Sequence, residues 1–131
     1  MAPSVETMVP EGSPPLIGPY SHVAKAGNLI MIGGVGGIDR ETGQLAGPDV
    51  AAQAVAILNS FDHMLRAAGS DLDHAMHIHV FLKDMADFER MNAAYISVMG
   101  ERRPARTVIA AHELPKPAFR VLMNLTAVTR D

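Results

Sequence analysis

The chain has 131 residues, of which 48% are hydrophobic and 19% charged, a balance that is ordinary for one globular domain with its own core. The formal net charge of −3 gives no basic footprint, which disfavours nucleic acid as a partner. The absence of cysteine excludes disulfides, iron–sulfur clusters, thiolate zinc sites and cysteine nucleophiles. Because neither a signal peptide nor an apolar run of membrane-spanning length is visible, we expect a soluble, cytoplasmic protein with no membrane partner.

The beginning of the chain is predicted to be an arm. Residues 1–17 are rich in Pro, Gly, Ser and Glu, which is typical of a mobile or surface-hugging segment, and residues 18–131 are interpreted as a single domain. Gly18–Pro19 fixes a turn, and a strand that begins at about Tyr20 is expected to form a hairpin with a second strand at Asn28–Ile32.

A dense run of glycines, Gly33–Gly37, follows the second strand. Such a run either lets the backbone approach a ligand closely or marks a sheet bend or bulge, and the sequence leaves both interpretations open. It is not a dinucleotide fingerprint, because the third glycine is missing and a turn at Asp39–Gly43 stands where a helix is required.

The period then changes from strand-like to helical. Apolar residues three and four apart predict a core-facing helix over Asp49–Ala68, with Asp49 in the first turn and Gly69 as the stop. A second helix is predicted from about Asp84 or Asp87 to Met99. The core-facing positions of the two helices are Val50, Ala54, Ile57, Phe61, Leu65 and Ala68, then Phe88, Met91, Tyr95 and Val98.

Between the helices, His74–Leu82 alternates as a strand, with Met76 and Ile78 on one face and His77 and His79 on the other. Two histidines on one strand face could contact a metal, but no third ligand lies nearby, so we predict a half-exposed or subunit-facing surface and no metal.

The stretch Arg103–Ala110 carries the clearest chemistry. Pro104 can begin a strand but not occupy its middle, so Arg106 is predicted at the entrance of an apolar strand. Its guanidinium matches a carboxylate with two parallel hydrogen bonds, and the alternative is a surface arginine in a solvated ion pair.

A last strand over Phe119–Thr129 completes the order β-β-α-β-α-β-β, an α+β fold. Two helices can cover only one face of a mostly apolar sheet. We therefore predict an oligomer in which the other faces of several copies meet.

Several motifs in this order resemble the RidA family, also called YjgF/YER057c/UK114. They are Gly18–His22, Val80–Asp84, Asn92, Pro104–Thr107 and Leu114–Lys116. The resemblance implies a chorismate-mutase-like mixed sheet with two helices on one face, assembled as a homotrimer with clefts between subunits. It also implies the hydrolysis of 2-enamino or 2-imino acids to 2-oxo acids and ammonia without a cofactor.

Site residues follow from the same resemblance. Arg106 matches the arginine that clamps the substrate carboxylate, and Tyr20 matches a tyrosine of the same pocket; both are assigned to catalysis. The predicted substrate-binding positions are Gly33, Gly34, Asn92, Val108 and Leu122. The chain departs from the family twice, since Gly33 replaces a serine and Leu122 replaces the glutamate thought to hold the attacking water.

Three functions remain open at this stage. The first is an enamine or imine deaminase, whose substrate could be an aminomuconate-type intermediate because Leu122 makes the pocket more apolar. In that case His22 is one hypothetical substitute for the missing glutamate. The second is a trimeric protein that binds a small carboxylate such as a 2-oxo acid without catalysis. The third, RNA cleavage, is disfavoured by the acidic charge balance.

Overall fold

One six-stranded sheet, in the order β1-β2-β3-β6-β4-β5, runs through the computed structural model, which describes residues 4–131. All neighbouring strands are antiparallel except β4 and β5, which are parallel. Within the described residues, neither helix is long and apolar enough to cross a bilayer. The elements are β1 Glu6–Met8, β2 Val23–Ala26, β3 Leu29–Gly36, α1 Val50–Ala67, β4 Ala75–Leu82, α2 Phe88–Met99, β5 Ala105–Ala110 and β6 Val121–Val128.

Both predicted helices are confirmed, with their ends where the capping residues place them. The Asp49 carboxylate accepts a hydrogen bond from the Ala52 amide at 2.9 Å, which satisfies a free amide at the start of α1. Gly69, at φ +89°, follows the last turn. Gly100, at φ +62°, ends α2 in the same left-handed region. All six predicted core positions of α1 are buried.

The two faces of the sheet differ, as predicted. On β6 the buried side chains of Val121 and Met123 alternate with the half-buried Leu122 and Asn124, so alternate residues face the helices or the open side. The core lies between the sheet and the helices. The open side still carries large exposed apolar side chains, among them Leu29, Met31 and Ile109.

Three predicted strand boundaries need correction. A short edge strand, β1, pairs with β2 through Glu6 and Lys25, although the sequence indicated only an arm there. β2 begins at Val23, so Tyr20 lies in the preceding turn and not in a strand. β6 begins at Val121, and Phe119 is a buried side chain of the loop before it.

One predicted strand face is also wrong at its start. The register of β4 against β6 shifts between Ala75 and His77, and this irregularity turns Met76 outwards. Met76 is therefore 50% exposed, whereas Ile78 is fully buried as predicted.

The glycine run contains a bulge, one of its two predicted interpretations. The register of β3 against β6 shifts between Ile32 and Val35, across Gly33 and Gly34. Farther along, a Cβ on Gly36 would clash with the Phe119 ring. Gly36 therefore allows the loop that carries Phe119 to pack closely against the sheet.

Candidate functional site

A cleft of about 460 Å³ lies at one edge of the sheet, where α2 passes the start of β5. Its lining residues are Glu89, Asn92, Tyr95, Ile96, Arg103, Pro104 and Arg106. A larger groove of about 990 Å³ lies along the outer surface of the helices, but none of the predicted site residues lines it.

Two elements build the cleft, and each does so for a local reason. Glu89, Asn92 and Ile96 are three and four residues apart on α2, so they share one helix face. After Pro104, the chain enters β5, and Arg106 pairs with the buried Ile78 of β4. Arg106 therefore points to the helix side of the sheet, at the strand entrance that the sequence predicted.

The Arg106 guanidinium lies over the Tyr95 ring, with its carbon 4.8 Å from the ring centroid. Within residues 4–131 it forms no ion pair, a property that it shares with Arg90 and Arg103, whereas the other five arginines each pair with a carboxylate: Arg40, Arg66, Arg102, Arg120 and Arg130. Arg106 is therefore held on one side by an aromatic ring and keeps its donors for an anion. The ion-pair alternative for this residue does not hold in this structure.

Two buried polar atoms of the same cleft have no hydrogen-bond partner. They are Oδ1 of Asn92 and the hydroxyl of Tyr95, and Tyr95 is only 4% exposed. Burial raises the pKa of the Tyr95 hydroxyl, despite the opposing charge of Arg106, so the phenol stays protonated at neutral pH. Because buried polar groups are normally paired, Asn92 and Tyr95 are cleft residues that each retain one unused hydrogen-bonding atom within residues 4–131.

Sequence reasoning found Arg106 and Asn92 but missed the three other residues of the cleft with polar side chains. Tyr95 was interpreted only as core, although a tyrosine one turn after a polar helix residue is a signal for a buried hydroxyl beside it. Glu89 and Arg103 carried no distinctive pattern. Nη1 of Arg103 donates to the carbonyl oxygens of Gly100 and Arg102, at 2.6 and 2.9 Å.

The remaining predicted site residues lie elsewhere. A Cβ added to Gly34 would be 3.0 Å from a methyl group of Leu122, so these two residues are neighbours. The Gly33 amide donates to the His22 carbonyl at 3.0 Å. Tyr20 is 38% exposed, and its hydroxyl accepts a hydrogen bond from the Ile17 amide at 3.3 Å.

Leu122 and Arg106 lie on opposite faces of the sheet. Leu122 alternates with buried residues of β6 and so faces the open side, whereas Arg106 and Val108 face the helices. Val108 is half-buried and packs against the core instead of lining the cleft. One chain therefore does not bring all the predicted site residues together.

The histidines do not join this cleft. The His22 ring is buried, and its Nε2 donates to the Pro14 carbonyl at 2.7 Å, so the ring holds the N-terminal segment instead of facing Arg106. His77 and His79 are half-buried on the open face, with ring centroids 4.2 Å apart. In the described part of the chain, no group of three or more His, Cys, Asp or Glu residues could hold a metal ion.

Comparison with known proteins gives a consistent result. Residues 11–129 match a family model described as Endoribonuclease L-PSP. The chain is 34% identical over 128 residues to the 2-iminobutanoate/2-iminopropanoate deaminase of Escherichia coli, covering 95% of this chain and 98% of the relative. It is 36% identical over 101 residues to the 3-aminoacrylate deaminase RutC of Acinetobacter baylyi, covering 77% and 80%.

A solved structure supports the same relationship. The crystal structure of the YjgF gene product of Escherichia coli superposes with a TM-score of 0.88 at 33% sequence identity, over 95% of this chain and 99% of that one. The mixed sheet with two helices is therefore a fold shared with these proteins.

Proposed function

The chain belongs to the RidA family, and from that premise we propose that it is an enamine/imine deaminase. It would hydrolyse a 2-imino or 2-enamino acid to the 2-oxo acid and ammonia. Its relatives named for 2-iminobutanoate, 2-iminopropanoate and 3-aminoacrylate indicate the class of substrate. A larger unsaturated amino acid of the aminomuconate type belongs to the same chemical class.

The observation that carries this proposal is the unpaired guanidinium of Arg106 beside two unpartnered polar atoms. A guanidinium binds a carboxylate through parallel hydrogen bonds and so fixes the orientation of the whole small substrate. Oδ1 of Asn92 can then accept a hydrogen bond from the substrate nitrogen. The Tyr95 hydroxyl can donate to an oxygen, because its raised pKa keeps it protonated.

Imine hydrolysis requires few catalytic groups beyond those of this cleft. An iminium carbon is already electrophilic, so the protein needs to hold the carboxylate, keep the nitrogen protonated and direct a water molecule to C2. No redox step occurs. We therefore propose that the reaction proceeds without a cofactor.

We further propose that the working unit is a homotrimer. In one chain, Leu122 and Gly34 lie on the face opposite Arg106, so a site with all of them requires the open face or edge of a second copy. The exposed Leu29, Met31 and Ile109 on the open face favour its burial against other copies. Sedimentation equilibrium would test the trimer directly.

A second candidate function is binding without catalysis. Leu122 is apolar and cannot transfer a proton, which favours a protein that grips a 2-oxo acid through Arg106 and leaves it unchanged. One measurement distinguishes the two functions, because only a deaminase shortens the lifetime of an imine.

The test uses 2-iminobutanoate generated in the cuvette by an amino-acid oxidase, with ammonia release followed against the spontaneous rate. We expect the wild-type protein to accelerate decay in proportion to its concentration. Calorimetric binding of 2-oxobutanoate without any acceleration would instead establish the binding protein. An absence of both effects would contradict both candidates.

A further inference from the structure

We propose that Glu89 is the general base that holds and deprotonates the attacking water. This inference rests on the proposed deaminase function and adds a residue that neither the sequence pattern nor the comparisons assign. Leu122 stands where the family has a glutamate and cannot accept a proton. Glu89 would supply the base that this replacement removes.

The composition of the cleft supports this assignment. A guanidinium is a hydrogen-bond donor with no acceptor atom, so Arg103 and Arg106 cannot act as bases. Tyr95 is held as a neutral phenol by its raised pKa, and the Asn92 amide does not take up a proton near neutrality. Ile96 and Pro104 have no side-chain proton acceptor. Among the lining residues, this leaves only the Glu89 carboxylate.

The position of Glu89 also suits the role. It lies in the first turn of α2, one turn before Asn92 and on the same face, and it is exposed to solvent. Within the described chain, Glu89 and Arg106 do not approach within ion-pair distance of each other although both line the same cleft. The arginine therefore forms no ion pair with this carboxylate, and both groups stay available to a small substrate and its water in the cleft.

The chemical steps balance without a further reactant. The water oxygen forms a bond to C2 of the iminium, the C2–N π electrons move to nitrogen, and Glu89 takes a proton from the water. The resulting carbinolamine receives that proton on its nitrogen. The C2–N bond then breaks and its electron pair leaves with ammonia. The Glu89 carboxylate takes the hydroxyl proton as the carbonyl of the 2-oxo acid forms, and passes it to the ammonia, which leaves as ammonium.

Glu89→Gln is the variant that tests this role, because it keeps size and hydrogen bonding but cannot accept the proton. We expect kcat to fall about 10²–10⁴-fold, the range typical of a placed general base, while KM changes less than about threefold. The fall of kcat towards acidic pH, which reports protonation of the base, should disappear in the variant. Glu113→Gln, in an exposed loop outside the cleft, is the matched control and should retain the wild-type profile.

The outcomes distinguish a failure of the proposed role of Glu89 from a failure of the proposed deaminase function. Wild-type kcat and an unchanged pH profile in Glu89→Gln, with an active wild-type protein, would overturn the role of Glu89 and leave the deaminase function standing. A wild-type protein that fails to accelerate imine decay would overturn the deaminase function itself. Equal far-ultraviolet circular dichroism and Tm of the variants would show that folding does not account for a loss.

Discussion

Replacing Arg106 by alanine is expected to lower kcat/KM for 2-iminobutanoate about 10²–10³-fold. Arg106 is the free guanidinium of the cleft, and the loss of a desolvated, charge-assisted contact to a carboxylate costs about 3–4 kcal/mol. Arg106→Lys should recover only part of this, because an ammonium cannot reproduce the planar fork. Steady-state kinetics of imine decay, together with calorimetric titration of 2-oxobutanoate, measure the effect.

Arg90→Ala is the matched control for this experiment. Arg90 is an exposed arginine of α2 that does not line the cleft, so its removal changes the net charge equally without touching the proposed site. Its kinetics should stay within about twofold of wild type. Equal activity of Arg106→Ala and Arg90→Ala would show that Arg106 does not hold the substrate.

Replacing Gln53 by leucine is expected to lower the free energy of unfolding by about 2–4 kcal/mol. Gln53 is fully buried in α1, where its amide donates to the carbonyl oxygens of Gly47 and Ala118 and accepts from the Arg120 amide. Leucine has similar volume but leaves all three backbone groups unpaired. Urea denaturation followed by circular dichroism gives the difference.

Gln44→Leu is the control that shows whether a glutamine-to-leucine substitution lowers the free energy of unfolding without a buried hydrogen-bond network. Gln44 lies exposed in a turn, and we expect less than about 0.5 kcal/mol of change there. If both variants unfold at the same urea concentration, the Gln53 hydrogen bonds do not stabilise the loops that they connect.

Features that are local in the chain were open to prediction from the sequence. Asp49 and Gly69 mark the ends of α1 because capping depends on one residue and the turn beside it. Arg106 could be placed at the start of β5 because Pro104 limits where a strand begins. These predictions needed no knowledge of distant contacts.

Features that depend on tertiary pairing could not be predicted from the sequence. β1 has only three residues and exists because β2 offers an unpaired edge, a fact that no local pattern contains. The exposed position of Met76 follows from a register shift against β6. Strand alternation alone could not show that Arg106 and Leu122 face opposite sides of the sheet, because that depends on which faces α1 and α2 cover.

The most direct test of the account is a crystal structure of the protein with 2-oxobutanoate, the product of the proposed reaction. We predict that the carboxylate of this ligand accepts hydrogen bonds from the Arg106 guanidinium, which lies over the Tyr95 ring. We also predict Gly34 and Leu122 of a neighbouring copy on the far wall. A ligand bound elsewhere, with Arg106 still unpaired, would contradict the central claim that this arginine grips the substrate.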